Sequence, residues 1–251
     1  MLETTKISKK FGELQAVDKV SLSFGDRSDE VTFIVGPNGA GKTTFINLLT
    51  GHHKPTSGSI LLNGEDITNY DSAERVDKGL VRSFQIAQLF EEMTARENLR
   101  VAQLSKRGLT ASVFSRADAY AEVESTISSI IDQLNLSNVS DTPVEDLPHG
   151  SRKLVDVGIA LCLEPQILLL DEPTAGIPSD QKQFVIETIY AVSKEQGIPT
   201  VIIEHDMDLV TEYGDRMIAL HEGSVLASGD PQLLETDEEL RRVLLGVTSD
   251  E

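Results

Sequence analysis

Hydrophobic positions along the chain change period twice. Up to about residue 88, strand and helix patterns alternate. VSLSF (20–24) and VTFIV (31–35) are short apolar stretches of strand type. The second runs into GPNGAGKT and then into a helix-like FINLLTG that stops at Gly51. SGSILLNGED (57–66) predicts a strand closed by a hairpin turn at Asn63-Gly64. From about 91 to 164 helical signals dominate. Thr94 to Glu97 form a capping-box pattern ahead of Leu99 and Val101. Val123, Ile127, Ile130, Ile131 and Leu134 mark one helical face, which predicts core packing. A polar connector, SKRGLTASVFSRAD, covers 105–118. After Pro165 the alternation returns. QILLLDE is a buried parallel-type strand. SDQKQFVIETIYAVSKEQG is a helix with Ser179 as N-cap and Gly197 as C-cap. IPTVIIEH is a further strand, RMIALHEGSVLASG is two strands about a turn at Glu222-Gly223, and 237–246 is a short helix. No internal repeat is visible.

This pattern predicts one α/β domain with hairpin-rich antiparallel portions. Residues 1–90 and 165–251 form its core and tail helix, and 91–164 form an inserted helical subdomain. The length, 251 residues, fits one such domain.

Charge alters the picture more than composition does. The net charge is −19 and the pI about 4.6. Phosphates of nucleic acid and anionic lipid repel such a chain, so direct binding to either is not expected. Two readings of the acidic surface stand side by side: ordinary solvation, or adaptation to high salt. The lone cysteine, Cys162, lies in the apolar run GIALCL and fits a buried small hydrophobe in a reducing cytosol. The start, MLETTKISKK, has no apolar core of signal-peptide length. No apolar run approaches the roughly 18 residues that span a bilayer. A soluble chain is expected, with any membrane role supplied through a partner.

The chemistry is concentrated at a few positions. Gly36, Pro37, Asn38, Gly39, Ala40, Gly41, Lys42 and Thr43 fit G-x-x-x-x-G-K-[ST], between a strand and a helix. Glycines allow successive backbone N–H groups to wrap phosphate oxygens. Lys42 supplies a point charge to β- and γ-phosphates, and Thr43 a hydroxyl to Mg²⁺. Asp171 leaves the carboxyl end of the ILLL strand, the edge where α/β sheets bind ligands. Asp171 and Glu172 can divide the work, the first serving Mg²⁺ and the second polarising an attacking water. Taken singly, His205 at the end of VIIEH and Gln85 in RSFQIAQLF carry little information, and His52, His53 and His221 fit loops or exposed positions.

The order of these features, with DLPHGSRK (146–153) upstream of ILLLDEP, resembles an ATP-binding cassette (ABC) ATPase over the whole chain. The resemblance implies a P-loop NTPase core that binds ATP with Mg²⁺. It implies that Phe11 stacks on adenine, that Thr44 and the rest of the loop hold phosphates, and that Thr43, Gln85 and Asp171 serve the metal. Glu172, His205 and Gln85 would carry catalysis, His205 by contacting the γ-phosphate. Leu147, Pro148, His149 and Gly150 stand where the family has its L-S-G-G-Q signature, which reaches the nucleotide of a second subunit. Pro148 lacks the serine's hydroxyl and N–H, which predicts a weakened signature contact. Ala175-Gly176-Ile177-Pro178 replaces the family's D-loop, with Pro178 at the usual acid.

FQIAQLFEEMTARENLRVAQ, DEPTAGI, IEHDMDLV and the LLG tail resemble ATPases of branched-chain amino acid importers. That implies a peripheral subunit at the inner face of the cell membrane. Its partners would be an integral membrane permease, a second ABC ATPase (an unlike one favoured over a homodimer) and, indirectly, a solute-binding protein. Urea or amide importers, a soluble non-transport ABC ATPase and a non-hydrolysing adaptor are the alternatives.

Overall fold

The structure, a computed structural model, describes residues 1–83, 89–108 and 117–245. The polar connector lies largely outside these residues. The chain divides into two compact units.

The first unit comprises residues 1–82, 166–172 and 193–251. Strands β1 (Leu2–Phe11), β2 (Leu14–Phe24), β4 (Ser57–Leu62) and β5 (Glu65–Asp66) form an antiparallel sheet in the order β2-β1-β4-β5. Strands β3 (Val31–Val35), β6 (Leu80–Arg82), β7 (Ile167–Asp171), β8 (Thr200–Ile203), β9 (Arg216–His221) and β10 (Ser224–Gly229) form the second sheet. Its order is β10-β9-β3-β8-β7-β6, parallel except where β10 returns against β9. Every residue of β3, β7 and β8 is buried, as strands covered on both faces require.

The turns follow the sequence pattern. Asn63-Gly64 and Glu222-Gly223 both have two successive positive φ angles, the geometry of the tightest hairpin loop. β1 was not anticipated. Its pairing with β2 slips between Thr4 and Ile7, and Lys6 has φ 47°, so the apolar alternation is broken where a strand pattern would be sought.

Side chains of both sheets share one core with helix α1 (Lys42–Leu49). Phe45, Ile46, Leu48 and Leu49 of α1 are wholly buried, at roughly 1.5–3 kcal/mol each. The carboxyl end of α1 is fixed by an unexpected residue. Helix α2 (Ser72–Asp77) opens with a complete Asp71–Glu74 capping box and carries Arg75, which is fully buried. The Arg75 guanidinium donates to the carbonyls of Leu48 and Leu49, both at 2.6 Å, and to those of Thr68 at 3.1 Å and Tyr70 at 3.2 Å. A cation thus meets the negative end of the α1 dipole. Burial pushes Arg75 down to about 10, so it stays charged at neutral pH.

The second unit comprises residues 83–165 and 173–192. Helix α3 (Ala95–Lys106) has the expected capping box: the Thr94 Oγ1 accepts from the Glu97 N–H, and Glu97 Oε2 accepts from the Thr94 N–H. Helix α4 (Ala117–Gln133) buries Val123, Ile127, Ile130 and Ile131, and Leu134 beyond its end. Helix α5 (His149–Cys162) packs with both. This unit also takes in residues 173–192, which the sequence pattern leaves with the core. They belong here because the start of helix α6 (Ser179–Gln196) lies against the start of α5. A Cβ at Gly150 would come within 3.3 Å of both Gln181 and Val185.

Candidate active site

Loop 36–41 joins β3 to α1, and two of its glycines are forced by neighbours. At Gly36 (φ 155°) a Cβ would lie 2.3 Å from the carbonyl of Leu220, and at Gly41 (φ 98°) 2.4 Å from that of Ala16. No side chain caps the amino end of α1, so its first amides and dipole favour an anion there. Lys42, the first residue of α1, is buried. Its Nζ donates to the carbonyls of Gly36 at 2.6 Å and Pro37 at 3.1 Å, which closes the loop on itself. Burial lowers the Lys42 pKa, while Glu172 and then Asp171 pull it back up. Thr43 is exposed beside it and Thr44 is half-buried.

Parallel strands end at a common edge, so the chain delivers Val35, Arg82, Asp171, Ile203 and His221 to the same side of the sheet. Asp171 is buried there, and Oδ2 accepts from Arg82 Nη2 at 2.5 Å. Glu172 still donates its N–H to the Ile203 carbonyl at 3.0 Å, but its φ of 51° swings the chain out of the strand. A non-glycine residue in this region is strained by about 1–3 kcal/mol. Its Oε1 lies 2.9 Å from Nε2 of His205, two residues beyond the end of β8.

An open cavity of about 560 Å³ runs along this edge. Phe11, Leu14, residues 38–44, Glu172, His205 and Glu222 are among the residues that line it. Phe11 closes β1 with its ring half-exposed. Lys9 Nζ lies 5.1 Å from the ring centroid and His53 packs edge-on at 5.3 Å, so the ring is steadied on two sides. An apolar ring, an amide-lined loop and a carboxylate–imidazole pair on one cavity suit a base, a polyphosphate and a hydrolytic water respectively.

The ABC transporter family, as a sequence model, matches residues 18–175. The chain is 34% identical to the high-affinity branched-chain amino acid transport ATP-binding protein BraF of Pseudomonas aeruginosa, covering 98% of each. It is 35% identical to a probable branched-chain amino acid transport ATP-binding protein, LivG, of Methanocaldococcus jannaschii, covering 97% of this chain and 93% of that one. The chain belongs to the ABC transporter family. It is the ATP-binding, ATP-hydrolysing component, an ABC cassette. Among solved structures, the ADP conformation of MJ1267, an ATP-binding cassette of an ABC transporter, superposes with a TM-score of 0.84 at 32% identity, covering 98% of this chain and 99% of that one.

In this cassette Phe11, the 36–44 loop, Asp171, Glu172 and His205 all fall in the first unit, and all but the buried Asp171 and the loop's first two residues line the cavity. Leu147, Pro148, His149 and Gly150 fall in the second unit. Pro148 stands at the N-cap of α5, one residue before its first turn. The reason is its φ/ψ of −55°/150°, extended rather than helical, with its carbonyl accepting from the Arg152 N–H. Proline brings no side-chain oxygen, so no side chain caps α5. Ile177 is buried, and Ala175, Gly176 and Pro178 are exposed. Gln85 lies outside the described residues. The sequence reasoning missed Arg82 and Asn47: Arg82 Nη1 donates to Asn47 Oδ1 of α1 at 2.7 Å. An arginine ending a three-residue strand gives no local signal of such a role.

The residues present fit Mg²⁺. Oδ1 of Asp171 is buried and makes no hydrogen bond, and the Thr43 side chain is exposed at the cavity. Among the described residues no cluster of three His, Cys, Asp or Glu side chains could hold a metal. Mg²⁺ commonly uses one or two carboxylates together with substrate phosphates, which is what this donor set offers.

Proposed function

We propose that this chain is the ATPase subunit of an importer for branched-chain amino acids, with Glu172 as the general base. The observation that carries the catalytic assignment is the Glu172–His205 contact at 2.9 Å, on the cavity that also holds the phosphate loop. The solute assignment rests on what the BraF and LivG relatives are named for.

Phe11 offers its ring to adenine. The amides of residues 36–44 and Lys42 hold the β- and γ-phosphates, with Thr44 at the first turn of α1. Thr43, Asp171 and Gln85 hold Mg²⁺, which when bound neutralises phosphate charge and orients the γ-phosphate. Glu172 accepts the proton of the attacking water. His205 fixes the Glu172 carboxylate and lies ready to donate to the γ-phosphate. Glu172 meets His205 while Asp171 meets Arg82, so two adjacent acids serve different atoms.

Leu147, Pro148, His149 and Gly150 present the α5 amino end to the nucleotide of a second ATPase subunit. Without the serine hydroxyl, a charge-assisted bond of roughly 1.5–3 kcal/mol is lost. An unlike partner with a full signature therefore suits this chain better than a second copy. No helix among the described residues is long and apolar enough to cross a membrane. Attachment at the inner face of the cell membrane comes through a permease, with a solute-binding protein beyond it.

The experiment is turnover of Glu172→Gln. The amide keeps the shape and loses the base, so ATP hydrolysis falls by roughly 10²-fold or more while ATP binding persists. Turnover within a few-fold of the parent refutes the general-base assignment. Uptake of labelled leucine by vesicles holding the chain and its co-purifying permease tests the solute.

A further inference from the structure

Arg82 and Asp171 form a salt bridge that is one bond short of complete. A guanidinium and a carboxylate usually meet through two parallel bonds. Here only Nη2 and Oδ2 are joined, and both Nε of Arg82 and Oδ1 of Asp171 are buried without a hydrogen bond. Leaving buried polar atoms unpaired is unfavourable, and two such atoms in one pair call for an explanation. The third point of the geometry supplies it. Nη1 of Arg82 is engaged by Asn47 Oδ1, on the same helix that begins with Lys42. With one nitrogen tied to α1 and another to β7, the guanidinium is held where Oδ1 stays free. Side-chain exposure of the pair is 11% for Arg82 and none for Asp171, so the pair is shielded from bulk solvent.

We propose that Arg82 is a positioning residue: tethered to Asn47 of α1, it holds Oδ2 of Asp171 and thereby reserves Oδ1 for the metal that accompanies the nucleotide. This rests on the reading of Asp171 as the metal-side carboxylate. Arg82 is not among the residues that line the cavity; it acts through Asp171, as outer-shell partners of metal ligands do.

Charge alone predicts the opposite effect. Removing a cation beside a divalent-metal site strengthens metal binding by relieving repulsion. Loss of metal binding on removing Arg82 therefore identifies orientation rather than charge.

The test uses the full chain carrying Glu172→Gln, so that ATP is not consumed. ATP affinity is measured by calorimetry with Mg²⁺ and with EDTA, and the ratio is the readout. Arg82→Met should reduce the Mg²⁺ enhancement by about ten-fold or more, the range for outer-shell partners, while EDTA affinity changes by less than about three-fold. Asn47→Ala, which leaves Arg82 and its charge in place but removes one anchor, should reduce the enhancement by about three-fold; it also serves if Arg82→Met does not fold. An enhancement that is unchanged or increased in both variants overturns the proposal. Asp171→Asn separates the two readings. If it abolishes the enhancement while the Arg82 and Asn47 variants keep it, only the tether fails; if it too leaves the enhancement intact, the metal-side reading fails and the proposal with it.

Discussion

Replacing Arg75 by methionine tests what holds the phosphate-loop helix at its far end. Methionine fills most of the stem volume, so the change removes donors rather than creating a large void. Four carbonyls are involved: those of Leu48 and Leu49 in the last turn of α1, and those of Thr68 and Tyr70. Leu48 keeps a long contact from the Gly51 N–H at 3.4 Å, so three carbonyls stand to lose most. At about 1–3 kcal/mol for each unpaired buried group, the gross cost is roughly 3–9 kcal/mol. Removing a buried cation returns several kcal/mol of desolvation. A net loss of about 3 kcal/mol is expected, which for a chain of this size is about 6–12 °C in Tm. Arg75→Lys keeps the charge but cannot fork toward four carbonyls, and should lose about half as much. Circular dichroism melts at neutral pH decide the matter. A Tm within about 2 °C of the parent for Arg75→Met would refute the view that this guanidinium anchors α1. The same variant should weaken ATP binding, because α1 carries Lys42.

Four further outcomes are expected. Burial pushes the Cys162 thiol up to about 12; at pH 8 about one chain in 10⁴ carries the thiolate, so maleimide labelling should need denaturant. Because the folded pKa lies above the ordinary value of 9.0, the folded chain holds this proton longer than the unfolded one. Its contribution is complete below pH 9 and is lost as pH rises toward 12, so Cys162→Ala should flatten the alkaline fall of Tm. If the acidic surface is a high-salt adaptation, the melting midpoint rises from low salt to molar KCl, where the Debye length is about 3 Å; a flat or falling midpoint leaves ordinary solvation. Pro148→Ser in the Glu172→Gln background should increase ATP-dependent self-association in sedimentation, whereas a tight ATP-bound homodimer of the Pro148 chain would remove the basis for an unlike partner.

What was legible in the sequence was what is local. The loop 36–43 is legible because its pattern is one contiguous string, even though the carbonyls that forbid a Cβ at Gly36 and Gly41 come from Leu220 and Ala16, and the capping box at Thr94 and Glu97 closes within four residues. Asp171 could be placed because it ends an apolar strand and parallel strands bring such ends to one edge, whereas His205, two residues past β8, was assigned only through the resemblance to ABC ATPases. Arg75 and Arg82 were illegible for the opposite reason. The partners of Arg75 in α1 lie 26 to 27 residues away, and those of Arg82 lie 35 to 89 residues away. A charged residue at a short helix or strand looks like a solvated one until the carbonyls or carboxylate it meets are assembled around it. β1 was lost to a bulge, which moves the apolar positions out of phase without weakening the strand. The strain at Glu172 could not be read from the sequence either, since nothing in its neighbours forbids an extended conformation.

Gly150 serves packing as well as chemistry. A Cβ there would lie 3.3 Å from Gln181 Oε1 and 3.3 Å from a Val185 methyl, tight enough that these side chains would have to give by a few tenths of an ångström, whatever the α5 amino end meets beyond the chain. The absence of a side chain at 150 therefore eases the fit of α6 against α5 on its own account. Of the signature positions, it is 148, where a serine would add a hydroxyl, that speaks to the contact with a second subunit.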